Sequence, residues 1–209
     1  GLPLMIWDLF DMRVMYRINN SIGVPYMGGV HGKNDATLGW VEYYYWYDSL
    51  EVANQGGLWF WDQRKHNGNN KNFTDTEAFI DYDRFFTNRS YPAFSYCSIN
   101  QDWGTGIPSS GDPYGAFNGY LDWEDASILD TDSSYSIRCF IKDMTVGGAP
   151  MPSYNTCTTD LTLRRLQHFN PQAGQLIGYT VHNENGQWLN SGSFISDGLP
   201  VTIHGITIE

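Results

Sequence analysis

Two stretches decide how this chain reads: HGKNDATLGW at residues 31–40 and WFWDQRKH at residues 59–66. Ahead of the first, VPYMGGV (24–30) is a short, mostly apolar run of the kind that forms a buried strand. Behind it, 41–55 places Tyr43, Trp46, Tyr47, Leu50 and Ala53 on one helical stripe. Gly56 and Gly57 are the expected stop, because glycine accepts a left-handed cap without steric cost. Leu58 to Trp61 is then apolar at every position, as suits a parallel strand covered on both faces. The unit predicted is strand–helix–strand. A right-handed crossover makes the two strands parallel and brings their carboxyl ends to one edge of the sheet. Asp35 follows the first strand and His66 the second, so an acid and an imidazole are expected where open α/β sheets bind ligands.

Gly32-Lys33-Asn34-Asp35 after one strand, and Trp61-Asp62-Gln63-Arg64-Lys65-His66 ending just past the next, resemble the end of an α/β-hydrolase domain. The resemblance covers roughly residues 1–80 and implies a serine esterase or peptidase type of enzyme. In that family the acid that orients the catalytic histidine follows one late strand and the histidine follows the last. On this resemblance Asp35 and His66 are catalytic: Asp35 would hold Nδ1–H, and Nε2 would take the serine proton. A serine on a G-x-S-x-G elbow should precede both, yet no serine here has glycine two positions before it. The nucleophile is therefore expected outside this chain, which would be inactive alone. Two parallel strands and one helix also cannot bury both faces of a sheet. The missing strands are expected from an upstream segment of the same precursor, or from a partner chain pairing along Tyr26–Val30.

From about residue 87 the grammar changes to short strands separated by turn clusters, at 91–97, 116–123, 134–142, 158–168, 175–183, 187–195 and 201–208. Asn185-Gly186 between alternating runs is a hairpin signal. Strands at this spacing point to an antiparallel, immunoglobulin-like β-sandwich. The tail from about 158 resembles the sandwich appendages that follow hydrolase domains in large multidomain bacterial secreted proteins. The expected fold class is thus α/β plus all-β: a partial α/β-hydrolase sheet over 1–86, followed by a β-sandwich accessory domain over 87–209. A helix capped by Asp8, with Phe10, Val14 and Ile18 at helical spacing, is expected to cover one sheet face.

The charge is 12 − 23 = −11 over 209 residues, and no Lys/Arg cluster of the kind that phosphate binding needs is present, which argues against nucleic acid. Eight Trp, 14 Tyr and 11 Phe, with few Lys, give the profile of a rigid extracellular or cell-surface protein. No apolar run approaches the ~20 residues of a membrane span.

Other residues carry weaker signals. Asn100, Asp102 and Asp112 are oxygen ligands on a Gly-bearing loop that suits a structural calcium ion, although the same residues also build a solvated turn. No other cofactor is called for. Asp62 competes with Asp35 as the acid, or pairs with Arg64 or Lys65 instead. His31 reads as structural, and Trp40, Trp59 and Trp61 as core and pocket wall. Cys139 and Cys157 share inward phases that allow a disulfide, with buried free thiols, Cys97 included, as the other reading. The function expected is the acid–base part of a secreted serine hydrolase. A non-catalytic surface protein that binds glycan, a polymer or a partner is the alternative class.

Overall fold

The computed structural model describes residues 26–66 and 82–209. The helix expected after Asp8 and the polar loop 67–76 lie outside them. The elements in chain order are β1 (Met27–Gly32), α1 (Trp40–Val52), β2 (Gly57–Asp62), β3 (Tyr91–Ser95), β4 (Gly115–Phe117), β5 (Leu121–Trp123), β6 (Leu129–Asp130), β7 (Tyr135–Ser136), β8 (Cys139–Ile141), β9 (Thr145–Val146), β10 (Ala149–Pro150), β11 (Cys157–Arg164), β12 (Leu176–His182), β13 (Trp188–Ile195) and β14 (Thr202–Ile208).

β1 and β2 are parallel, in register from Met27 opposite Gly57 to Gly32 opposite Asp62. β2 is buried along its whole length. Its alternation divides the interior in two: Trp59 and Trp61 face α1, whereas Leu58 and Phe60 face the opposite core. On the α1 side, Trp40, Tyr43, Tyr47, Leu50 and Ala53 close over Trp59, Trp61 and Phe117. Rings pack against one another throughout this layer, and Tyr47 stacks on Trp59 with centroids 4.8 Å apart and planes nearly parallel. On the other side Leu58 and Phe60 meet Phe94, Leu161, Leu163, Ile206 and Ile208 of the antiparallel sheet β14–β11–β3.

The helix ends otherwise than expected. Asn54 takes the left-handed conformation (φ 50°), and Gly56 and Gly57 have another role. A methyl group on Gly57 would meet the Leu50 side chain at 2.6 Å and the Met27 carbonyl at 2.9 Å. That glycine lets the start of β2 lie against both β1 and the helix.

The expected fold class is corrected here. The chain does not form an α/β-hydrolase sheet followed by an immunoglobulin-like sandwich. It forms small sheets of two or three strands around a single 13-residue helix among the described residues. The second neighbour of β2 is the antiparallel β4, not another parallel strand with a covering helix. The expected strand at 116–123 breaks at Asn118 (φ 54°), which splits it into β4, beside β2, and β5, beside β8. Likewise β12 and β13 pair with each other and with no other strand among the described residues. The long strands are thus divided between the three-stranded sheet β14–β11–β3 and the isolated pair β12–β13, so two continuous sheets of the expected sandwich do not form among the described residues. β1 has β2 as its one strand neighbour among the described residues.

The larger core draws Tyr26, Leu58 and Phe60 together with residues from Tyr91 to Ile208. Phe60 is 1 % exposed at its centre. Phe60→Ala is expected to cost about 3–5 kcal/mol. Because that core is shared, amide exchange should accelerate in β2 and β11 together, within one cooperative unfolding transition. Acceleration confined to β2 would contradict the shared core.

Candidate functional site

The carboxyl ends of β1 and β2 continue to pair past the strands. Lys33 N donates to the Asp62 carbonyl at 2.8 Å, and Asn34 N to the Arg64 carbonyl at 3.2 Å. Gly32 makes this approach feasible, since a methyl group there would overlap the Arg64 carbonyl. Asn34 fastens the two turns further, its Nδ2 donating to the carbonyl of Gln63 at 2.8 Å. The Asp62 carboxylate is turned inward and pairs with Arg64, accepting from its backbone N and its Nε at 2.8 Å each. Both side chains are buried, so Asp62 serves to lock the turn.

Asp35 and His66 are left at the edge. His66 Nδ1 lies 2.9 Å from Asp35 Oδ2. The other carboxylate oxygen accepts from Thr37 N at 2.8 Å and Leu38 N at 3.1 Å, an Asx turn that leads into α1. The two side chains differ in setting: that of Asp35 is 9 % exposed, that of His66 57 %. Burial works to raise the Asp35 carboxyl, but the His66 hydrogen bond and the Leu38 and Thr37 amides outweigh it and hold the group below the usual carboxylate range. A shielded, ionised acid thus grips the inner nitrogen of an imidazole whose outer edge faces solvent.

His31 stands behind this pair. Its ring stacks on Tyr43 with centroids 3.6 Å apart, and Trp59 lies edge-on at 6.1 Å. Burial pushes its pKa down to about 4, against the pull of the Asp35 charge, so it is neutral at neutral pH. Its buried Nδ1 has no hydrogen-bond partner among the described residues.

The calcium-ligand residues do not converge. Asn100 faces Asn118, accepting from its backbone N at 2.7 Å. Asp102 Oδ1 accepts from Gly104 N, and Asp112 Oδ2 from Asp102 N, so both carboxylates fold the loop onto itself. Among the described residues no three His, Cys, Asp or Glu side chains come together as a metal set. The loop does close on a cation, and that cation is Lys33. Its Nζ donates to the carbonyls of Ser110 and Asp112 and lies 5.1 Å from the centre of the Trp40 ring. Its residue is fully buried. Trp61 Nε1 donates to the same Asp112 carbonyl at 2.9 Å, Trp40 Nε1 to the Trp103 carbonyl at 3.0 Å, and Gln63 Nε2 to the Pro113 carbonyl at 2.8 Å. The loop is thereby anchored beneath the Asp35–His66 edge. Sequence reasoning missed Lys33. The available signal was that it is one of four lysines in the chain, set between a buried strand and a turn.

No protein-family model, curated protein or solved structure gives a significant match to this chain.

Two outcomes follow from this geometry. Lys33→Met takes the Lys33 donor from the Ser110 carbonyl and leaves the Asp112 carbonyl with Trp61 Nε1, and should cost about 1–3 kcal/mol by thermal or urea unfolding. The His31 effect has a definite sign. Between about 6.5, its unfolded value, and about 4, the unfolded chain binds a proton that the native chain does not. Stability from this group therefore falls as pH drops through that window, by about 1.4 kcal/mol per pH unit at most. Glu51, which burial lifts to about 7, acts in the opposite sense over much of the same range. The reading is hence the difference between the native chain and His31→Gln in urea titrations from pH 7 to 4.5, where the variant should lose less stability on acidification.

Proposed function

We propose that Asp35 and His66 are the acid–base half of a serine-hydrolase site, esterase or peptidase in type, in a secreted protein whose nucleophile comes from outside the described residues. The observation that carries this is the 2.9 Å contact between a shielded carboxylate and Nδ1 of an exposed imidazole. Holding Nδ1–H fixes the tautomer and leaves the Nε2 lone pair to accept a proton from an incoming hydroxyl. The imidazolium that forms is stabilised by the carboxylate and returns the proton to the leaving group. Two features support a functional over a structural role for the pair. The backbone around it is held rigid by Gly32, Asn34 and the Asp62–Arg64 pair, and the outer edge of the His66 ring is open to solvent. Asp62 is the other nearby acid, and its commitment to Arg64 leaves Asp35 as the partner of the histidine. The proposal concerns the chemistry of this pair and does not depend on a hydrolase fold.

Labelling with a fluorophosphonate probe tests it. The full-length protein should label at a serine that lies outside residues 26–66 and 82–209. His66→Ala should abolish labelling, and Asp35→Asn should slow it by about 10⁴-fold by misassigning the tautomer. A full-length protein that stays unlabelled, or that labels equally well as His66→Ala, would overturn the proposal.

A further inference from the structure

Cys97 and Cys157 are 60 residues apart in the chain, and their Sγ atoms lie 3.5 Å from one another. The backbone brings them together in two steps. β3 and β11 pair antiparallel through Asp160 opposite Ser95, and the pairing resumes beyond the strand where Ser98 N donates to the Thr158 carbonyl at 2.9 Å. Between these points Tyr96 takes a left-handed conformation (φ 53°). That kink turns Cys97 off the regular alternation and into the interior beside Cys157, the first residue of β11. Ser98 closes the site from the other side, its backbone and hydroxyl bracketing Thr158 and its Oγ lying 3.8 Å from Cys157 Sγ. Both cysteines are free thiols in this structure.

We propose that Cys97 and Cys157 form a disulfide on exposure to a disulfide oxidant such as oxidised glutathione, and that Cys139 remains a free thiol. The two sulfurs already face each other across adjacent chain segments, and bonding requires them to close by roughly 1.5 Å, within reach of side-chain rotation. Their hydrogen bonding prepares the exchange. The hydrogen bond from Cys97 holds the Cys157 thiol below its usual range, against the effect of burial and with help from Ser98. Cys157 as thiolate attacks one sulfur of the oxidant and expels one glutathione thiolate. Cys97 then gives up its proton, attacks the Cys157 sulfur of the mixed disulfide and expels the second. The protein loses two protons and two electrons, and one oxidised glutathione becomes two reduced ones. Cys139 has no such partner. It sits on β8 opposite Trp123, and burial, with the Asp122 charge, pushes its thiol up to about 12.

The bond would close a covalent loop over residues 97–157. That loop contains β4, the strand beside β2, and the 102–112 segment that receives Lys33. Oxidation would therefore fasten the support of the Asp35–His66 edge without touching either residue.

The test uses a glutathione redox buffer, applied to the native chain and during refolding from urea, so that burial of the thiols does not decide the result. After oxidation the denatured protein should titrate one thiol instead of three, lose about 2 Da, and give a peptide joining Cys97 to Cys157. The melting temperature should rise by roughly 5–15 °C and fall back on reduction. Cys139→Ser should cross-link as the native chain does, with no thiol left over, and Cys157→Ser should not cross-link. Three titratable thiols after refolding in oxidising buffer, a stable glutathione adduct on Cys157, or a cross-link to Cys139 would each overturn the proposal.

Discussion

The contact between the Gly32 backbone and the Arg64 carbonyl is the constraint on which this edge of the molecule depends. Parallel pairing brings the carboxyl ends of two strands together in any case, but strands usually diverge into loops as their ladder ends. Here the ladder runs on through Lys33 and Asn34 because nothing projects from Gly32 to hold the turns apart. Two short turns separated by 31 positions in sequence then behave as one rigid corner. The carboxylate and imidazole on that corner meet at hydrogen-bond distance, with the Thr37 and Leu38 amides holding the other carboxylate oxygen. A side chain at position 32 would separate the turns and move Asp35 away from His66, even though residue 32 touches neither.

Beneath the corner, one buried ammonium does the work that a bound ion does in other loops. The Ser110 and Asp112 carbonyls turn inward, which costs solvation, and the Lys33 charge offsets that loss with the Trp40 ring as a further neighbour. Burial draws the Lys33 pKa down, while Asp102 and Asp112 raise it. The acids of the loop thus stabilise a cation at a distance while their own oxygens are engaged by backbone N–H groups.

The strand–helix–strand unit was legible because its signals are local: an apolar run buried on both faces, a stripe of aromatics at helical spacing, and the residues that follow each strand. The expectation that Asp62 pairs with Arg64 or Lys65 also rested on neighbours in sequence, and it is Arg64 that the structure pairs with it. The fold class was not legible. β4 is three residues long, inside a turn-rich run with no periodicity, and nothing in sequence marks it as the second neighbour of β2. The position of Lys33 was hidden for a related reason: a lysine beside a turn reads as solvated, and its acceptors lie 77 and 79 residues away. For the cysteines, phase along a strand suggested Cys139 with Cys157. Proximity depends on register between strands, which the kink at Tyr96 resets in favour of Cys97.

The sealing of Lys33 has a practical consequence for chemical footprinting. An amine-reactive acylating reagent needs a neutral, accessible amine, and Lys33 presents neither solvent exposure nor a free lone pair while it bridges the two carbonyls. Lys65 and Lys142 are not sealed in this way. Acylation of Lys33 therefore registers only when the 102–112 loop lifts from β1 and β2. This single side chain acts as an internal reporter of how often the floor beneath the Asp35–His66 corner opens, readable by mass spectrometry as the acylated Lys33 peptide.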